Sequence, residues 1–355
     1  MNDPKRRNRG DRSSGDPRKT AHLLLIIAVL TMGFASYWHY NAAHREGLDS
    51  FYRDLLGGTA PAPEQYRVGV VLLAQWMARC GLALRHSLTI IDTVAASIGV
   101  LTLFYLLRRS ETYQAASTVR RWFAAAAFVL LVQFYFAWVL WYQRPETLPS
   151  VALIALTLLL LTVPPPLPAS FPKPLVYLAT AIPMLLLAVL QGWVRADVGF
   201  ALHAGIFLVC LTRAGKGLSL PRSIQAMTSA LAVVATGGIQ YHLMHFRYPH
   251  ATYGAKPVIV LVLNLTSPSE WVSLLLFIVP YAWTVRQAMK MRGRLQGPGI
   301  ALLGGSVVFL VMWLLLGRVG EVRIFLPFAL ALAPLTVEFN LNRLLPAQSQ
   351  TAPGE

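Results

Sequence analysis

Two adjoining stretches decide the fold class: HLLLIIAVLTMGFASYW, residues 22–38, and HREGLDSFYRDLLGGTAPAPEQYR, residues 44–67. The first is a continuous apolar run of a length that crosses a bilayer as a helix. The second collects four acidic residues and three arginines, in a chain of which only 13% is charged. This order predicts a membrane helix followed by a surface loop whose charges serve a function.

The rest of the chain contains further long apolar runs. Its 355 residues are 55% hydrophobic with a mean hydropathy of +0.53, which is too apolar for a soluble domain. The runs are continuous rather than alternating, which excludes a membrane β-barrel. We therefore predict an all-α polytopic transmembrane helical bundle with short surface helices in its outer loops. About ten spans are expected, at residues 22–38, 86–107, 122–142, 150–163, 175–192, 198–211, 223–240, 272–285, 299–316 and 324–337.

The formal net charge of +16 predicts orientation rather than a nucleic-acid partner. Lys and Arg concentrate in residues 1–20, 108–121, 213–222 and 286–294, as cytoplasmic loops of membrane proteins do. We therefore expect a cell inner membrane protein whose two termini are cytoplasmic and whose environment is membrane lipid. Most acids then fall on the outer side, namely Glu46, Asp49, Asp54, Glu64, Glu146, Asp197, Glu270 and Glu321.

Three segments follow from this pattern. Residues 1–20 are predicted to be a disordered basic cytoplasmic tail, residues 21–340 the transmembrane domain, and residues 341–355 a cytoplasmic tail. A cleaved signal peptide is the alternative for the first span, but its long basic start and the later spans favour a retained helix. The run 68–84 is expected to lie on the outer surface, because a crossing there would put the basic loops outside.

Asp49 is the candidate catalytic residue. It follows the first span closely, and a partly desolvated carboxylate at a membrane surface can accept a proton from a hydroxyl group. The alternative is that Asp49 only caps or charges an exposed loop helix.

Polar residues at other span ends are the candidate substrate-binding groups. Arg67 closes the first loop, and Arg144 with Glu146 and Arg195 with Asp197 each place a cation two residues from an acid. They would form the wall of a pocket for a polar substrate. Simple anchoring in the headgroup region is the alternative for both pairs.

A short charged segment follows the ninth predicted span and contains Arg318, Glu321 and Arg323. Two guanidinium groups around one carboxylate suit an anionic group such as phosphate, because guanidinium binds oxyanions in a bidentate manner. Glu321 would orient one of the arginines, and interfacial anchoring is again the alternative.

Several other polar positions give weaker signals. His242 and His245 share a helix face near His250, which leaves a divalent metal as an open alternative, although no residue set defines a metal site. Asp92 is an acid inside the second span, where it either faces the bundle or lies shallowly beneath the surface. Asn264 begins a glycosylation sequon that is too short to carry weight. Cys80 and Cys210 lie far apart within apolar runs and predict neither a disulfide nor a metal site.

The chain resembles the GT-C superfamily of polytopic glycosyltransferases, in which an acidic residue follows the first helix and long outer loops contain short surface helices. The resemblance spans most of the chain in topology and rests on short motifs. These are Asp49, Phe51-Tyr52, Leu55-Leu56-Gly57-Gly58, Pro61, Gln65-Tyr66-Arg67, Arg144-Pro145-Glu146 and the run EVRIFLP at residues 321–327.

The resemblance implies sugar transfer from a polyprenyl-phosphate donor at the outer face of the membrane. Asp49 would activate the acceptor hydroxyl, Arg318 and Arg323 would hold the lipid phosphate, and Glu146 and Asp197 would bind sugar or acceptor hydroxyls. The resemblance implies no cofactor, and a divalent metal stays an open alternative without a defined ligand set. The alternatives are a transporter or lipid flippase, which needs a polar cavity at the membrane midplane, and a non-catalytic subunit of an envelope complex.

Overall fold

Every regular element in the described part of the chain is helical. A computed structural model describes residues 17–42, 48–142, 144–163, 171–212, 217–251, 259–290, 295, 297–318 and 321–344, without the side chains of 17–21, 24, 42, 48, 49, 138–142, 274, 323 and 342–344. The helices are α1 Pro17–Tyr37, α2 Leu48–Gly57, α3 Gly69–Arg79, α4 Leu84–Arg109, α5 Glu111–Ala115, α6 Thr118–Tyr142, α7 Thr147–Thr162, α8 Lys173–Leu211, α9 Arg222–His242, α10 Leu261–Thr266, α11 Pro268–Ser273, α12 Val279–Lys290, α13 Gly297–Leu316, α14 Leu326–Ala331 and α15 Ala333–Leu344.

Five helical stretches of the described chain are long and apolar enough to cross a membrane. They are Leu84–Arg109, Thr118–Ala137, Lys173–Leu211, Pro268–Lys290 and Gly297–Leu316, and two shorter apolar stretches are Thr147–Thr162 and Leu326–Leu341. The all-helical class is thus confirmed for the described residues, while the number of ten spans stays a prediction. Helix α1 already begins at Pro17, inside the tail predicted to be disordered, and residues 1–16 and 345–355 lie outside the described residues.

Helix α8 is a hairpin rather than one straight helix. Its 39 residues contain one with non-helical backbone angles, Arg195, at φ −156° and ψ 88°. Helix α9 packs along both halves, parallel to the first and antiparallel to the second. The contacts pair Met184 with Gln225 and Gly192 with Ile239 in the first half, and Cys210 with Arg222 and Gly199 with Thr236 in the second. The chain therefore reverses at Arg195, where the sequence predicted a loop at residues 193–197 between two spans.

The helices begin and end at two opposite ends of the bundle, so loop residues can contact each other only when they lie at the same end. Helix α7 begins beside Glu146 and ends where Ser219 bonds to the Leu161 carbonyl oxygen. Helix α13 runs back from Pro298, at the second of these ends, to Trp313 at the first. We call them the Arg67 end and the Glu338 end, after a buried residue at the first and a cavity-lining residue at the second.

The core joins the second half of α8 to α13 at close range. A Cβ atom on Gly205 would overlap the backbone nitrogen of Gly305 and lie 2.6 Å from its Cα, so only glycine fits at this crossing. Phe309 packs with Phe325 and Phe328 just beyond it, with ring centroids 6.1 and 4.8 Å apart. This contact packs α13 against the start of α14.

Helix α3 is too short to cross a bilayer by itself. Its 11 residues rise by about 17 Å at 1.5 Å per residue, against a hydrocarbon thickness of about 30 Å. Val70, Val71 and Ala74 on its buried face pack near Tyr52 of α2 and Leu88 of α4. Residues 68–84 therefore contain a short helix packed at the Arg67 end, and its position on the outer surface of a membrane stays a prediction.

Candidate functional site

Four buried charged side chains from three distant parts of the chain meet at the Arg67 end. Arg67 lies 3.5 Å from a carboxylate oxygen of Glu146 and 3.6 Å from one of Asp197. Asp197 also pairs with Arg195 at 2.5 Å. The Arg67 and Glu146 side chains are each 8% exposed, Asp197 is 16% exposed and Arg195 1%. We call these four residues the Arg67 cluster.

The first loop places Arg67 through a buried amide. The Gln65 side chain, fully shielded from solvent, donates to the Leu55 carbonyl oxygen and accepts from the Ala60 amide, both at 2.9 Å. These bonds fold residues 57–66 back onto α2. Two residues after Arg67, a Cβ atom on Gly69 would lie 2.8 Å from the Trp193 carbonyl oxygen. The backbone at Gly69 therefore packs directly against the backbone near the tip of α8.

Glu146 and Asp197 reach the cluster because each lies where a helix begins or turns. Glu146 is the residue that precedes α7, and it is buried although it makes no capping bond from its side chain. Asp197 lies two residues after Arg195, the one residue of α8 with non-helical backbone angles. The side chains of Arg195 and Asp197 bond to each other directly at this turn of the chain.

The Arg195 guanidinium is buried and forms its hydrogen bonds with other groups of the protein. Its Nε donates to Asp197 Oδ1 at 3.2 Å, and its Nη1 donates to the Ile324 carbonyl oxygen at 3.2 Å. Its guanidinium also lies 5.8 Å from the ring centroid of Phe309. Arg195 thus ties the tip of the α8 hairpin to the segment that follows residue 321, and it positions Asp197.

Trp313 is a member of the site that sequence analysis missed. Its indole nitrogen donates to Asp197 Oδ2 at 3.2 Å, and the Arg67 guanidinium lies 5.9 Å from the centroid of its ring. In the sequence Trp313 is one aromatic residue near the end of an apolar run, which is typical of membrane-interface tryptophans in general. Its half-buried ring forms an aromatic wall beside the Asp197 carboxylate and the Arg67 guanidinium.

The electrostatic balance of the cluster favours hydroxyl groups over phosphate. Burial alone would lower the pKa of Arg67, but Asp197 and Glu146, with weaker contributions from Glu64 and Glu321, more than offset this, and the pKa is raised. The surroundings of Arg67 are thus rich in carboxylates. Carboxylate oxygens accept hydrogen bonds from sugar hydroxyls, whereas they repel an oxyanion.

The predicted catalytic residue Asp49 lies on a helix beside this cluster. Its backbone belongs to α2, and its side chain lies outside the described residues. Tyr52 of α2 is buried; burial raises its pKa, the Asp92 carboxylate adds to this, and Arg144 opposes it. Arg144 lies 4.5 Å from the ring centroid of Phe51, so it stacks on α2.

The predicted phosphate-binding segment is divided between two places. The Arg318 guanidinium contacts the buried carboxylate of Glu270 at 2.5 Å, and 44% of its side chain is exposed. Glu321 lies near enough to Arg67 to affect its pKa, and the side chain of Arg323 lies outside the described residues. Arg318 is therefore oriented by Glu270, and the prediction that Glu321 orients one of the two arginines stays a prediction.

The histidine cluster has aromatic partners. The His245 ring stacks on Tyr241 with centroids 4.1 Å apart, and the His242 ring stacks on Phe246 at 5.9 Å. Among the residues that the structure describes, no group of three His, Cys, Asp or Glu side chains is placed to hold a metal ion.

Asp92 faces the bundle, which decides between its two predicted positions. The side chain is 1% exposed, and one carboxylate oxygen accepts a bond from the Ser36 hydroxyl at 3.2 Å. The buried rings of Tyr40 and Tyr52 lie beside it, with centroids 6.4 Å apart. This polar contact joins α1 and α4 to the helix that carries Asp49.

Comparison with family models, with curated proteins and with solved structures gives no match.

Proposed function

We propose that this chain is a polytopic inner-membrane glycosyltransferase of the GT-C kind, which transfers a sugar from a polyprenyl-phosphate donor to an acceptor. The observation that carries the proposal is the Arg67 cluster, where Glu146 and Asp197 share one guanidinium beside the helix that bears Asp49. Scarce charges from distant segments meet at one end of an apolar bundle, as a site for a lipid-linked polar substrate requires.

We also propose an orientation of the bundle in the membrane, from the positions of the basic residues. Arg108, Arg109 and Arg222 lie at the Glu338 end, as does Lys290, the last residue of α12 before the chain returns into α13. By the positive-inside rule that end is cytoplasmic, and the Arg67 cluster faces outward.

In the proposed reaction the acceptor oxygen attacks the anomeric carbon of the donor sugar. The bond between that carbon and the phosphate oxygen breaks, and polyprenyl phosphate leaves with the bonding electron pair. Asp49 takes the proton of the acceptor hydroxyl. Glu146 and Asp197 accept hydrogen bonds from sugar hydroxyls, and Trp313 provides the wall against which the sugar ring lies.

The lipid phosphate belongs outside the carboxylate-rich cluster. Arg318, whose side chain is partly exposed, and Arg323 are the proposed phosphate ligands, with Arg144 at the rim beside α2. Arg67 and Arg195 hold the two carboxylates in place and are positioning residues in this scheme.

The test is transfer of tritiated sugar from polyprenyl-phosphate hexoses to envelope material, in membranes that contain the full chain. Asp49→Asn should lower transfer by about a hundredfold or more, because a general base contributes roughly 10²–10⁴ to the rate. Asp54→Asn, at an exposed position of the same helix, is the matched control and should transfer like the wild type.

Two results would count against the proposal. Normal transfer by Asp49→Asn would remove Asp49 as the base. A wild-type chain that transfers none of the hexoses, while it copurifies with other envelope proteins, would favour the non-catalytic subunit.

A further inference from the structure

A cavity lies at the Glu338 end of the bundle, far from the Arg67 cluster. Its volume is about 590 Å³, within the range of sites that hold small-molecule ligands. Helix α7, which connects the two ends, rises by about 24 Å over its 16 residues. The cavity is therefore a separate site, and binding there does not depend on the proposed transfer reaction.

The lining of this cavity changes from apolar to polar along three helices. In α4 the lining passes from Leu103 to Arg109, in α7 from Leu158 to Thr162, and in α15 it ends at Glu338. Along these three helices the polar residues lie toward the end of the bundle and the leucines toward its middle, while Ala115, Leu295 and Pro298 add apolar lining at the end itself. Such a gradient suits an amphiphile that enters tail first and keeps its headgroup at the membrane surface.

The charges at the mouth select the headgroup. Glu111 and Glu338 both line the cavity, and Glu338 accepts a hydrogen bond from the Thr112 hydroxyl at 3.0 Å. Neither glutamate takes part in an ion pair within the described residues. An ammonium group in the cavity would place a cation beside both carboxylates.

Two of the nearby arginines, Arg109 and Arg121, are bonded to other groups of the protein. Arg109 donates to the Tyr105 hydroxyl at 2.8 Å with its guanidinium 5.7 Å from that ring centroid, and Arg121 donates to the carbonyl oxygens of Tyr113 and Gln114. Arg109 still lines the cavity, and a guanidinium has further N–H donors that can reach a phosphate.

We propose that this cavity binds a phospholipid whose headgroup carries a primary ammonium, of the phosphatidylethanolamine class. Glu338 and Glu111 hold the ammonium group, Arg109 contacts the phosphate, and the leucines of α4, α7 and α13 enclose the adjoining part of one acyl chain. A choline headgroup has no N–H to donate, and a glycerol headgroup has no positive charge, so both bind more weakly.

The test uses the purified full chain in a neutral detergent, titrated separately with dioctanoyl phosphatidylethanolamine, phosphatidylcholine and phosphatidylglycerol. Native mass spectrometry gives an apparent Kd for each lipid. The wild type should bind phosphatidylethanolamine about tenfold more tightly than the other two, the effect expected of one charge-assisted hydrogen bond. Equal binding of the three lipids by the wild type would overturn the proposal without any variant.

Two variants and a control then locate the site. Glu338→Gln keeps an acceptor for Thr112 but removes the charge, and should lose the preference for phosphatidylethanolamine. Leu106→Trp places a large ring at a half-buried lining position and should weaken the binding of all three lipids. Asp54→Asn, at the opposite end of the bundle, should bind as the wild type does. A folded Glu338→Gln protein that keeps the preference, or unchanged binding by Leu106→Trp, would refute the assignment.

Discussion

Substitution of Arg67 by Met tests whether the Arg67 cluster stabilises the fold. The change removes the cation that Glu146 and Asp197 share, while the apolar part of the side chain is kept. Asp197 retains Arg195, at 2.5 Å, but no other ion pair of the described residues reaches Glu146. The variant therefore leaves a carboxylate that is 8% exposed without this cation.

The expected loss follows from the two distances. At 3.5 and 3.6 Å, with an effective dielectric constant of about 20, each pair has a Coulomb energy of roughly 5 kcal/mol. Desolvation of the three charged groups offsets much of this in the native protein. Removal of one partner from a buried pair typically costs about 3–5 kcal/mol, because the penalty stays while the attraction is lost. We expect a loss of that size in Arg67→Met.

The assay is equilibrium unfolding in mixed micelles, followed by circular dichroism, with a double-mutant cycle. Glu146→Gln removes the carboxylate that Arg67→Met leaves without its cation, so the double variant should be more stable than the sum of the two single losses predicts. Arg53→Met, at an exposed position of α2, is the matched control and should stay within about 0.5 kcal/mol of the wild type.

Two outcomes would refute this account. Arg67→Met could unfold within about 1 kcal/mol of the wild type, which would mean that the carboxylates are solvated. Alternatively, the losses in Arg67→Met and Glu146→Gln could add without coupling, and the two side chains would then not interact.

Two further predictions concern the helix contacts. Gly205→Ala should destabilise the protein by about 3 kcal/mol or more, because its Cβ would clash with the α13 backbone, whereas Gly237→Ala, with nothing within 4 Å, should gain roughly 0.5–1 kcal/mol in the same unfolding assay. Asn264→Ala should lose about 1–3 kcal/mol, because the Asn264 amide donates to the carbonyl oxygens of Leu314 and Gly317. The wild type should also show no glycan mass shift after synthesis with glycosylating microsomes, since this amide is buried.

The sequence predicted which polar residues lie at one end, but not how they pair. Arg67, Glu146, Arg195 and Asp197 each stand where an apolar run begins or ends, and the ends of runs collect at the ends of a bundle. Of the two predicted pairs with a spacing of two residues, the described residues form an ion pair only between Arg195 and Asp197, where α8 reverses. Glu146 pairs instead with Arg67, about eighty residues earlier in the chain.

Other contacts depend on packing that local pattern does not encode. Arg318 bonds to the buried carboxylate of Glu270, and Asn264 donates to the carbonyl oxygens of Leu314 and Gly317 at the end of α13. Both Glu270 and Asn264 lie between α9 and α12, where the sequence placed Glu270 on the outer side but predicted no partner for either residue. A pattern of hydrophobic residues predicts that a helix exists, but the choice of neighbour is made by side chains far apart in the chain.

The backbone break at Arg195 connects the fold to the proposed chemistry. One extended residue reverses α8, and the same reversal turns the Asp197 carboxylate toward Arg67. Arg195 is then bonded to Asp197 and to the Ile324 carbonyl, so its charge is not available to a substrate. With Arg67 also held between two carboxylates, the buried part of the site offers acceptors for hydroxyl groups. A lipid-linked sugar that binds here must therefore direct its sugar inward and keep its phosphate at the rim, where Arg144 and Arg318 lie.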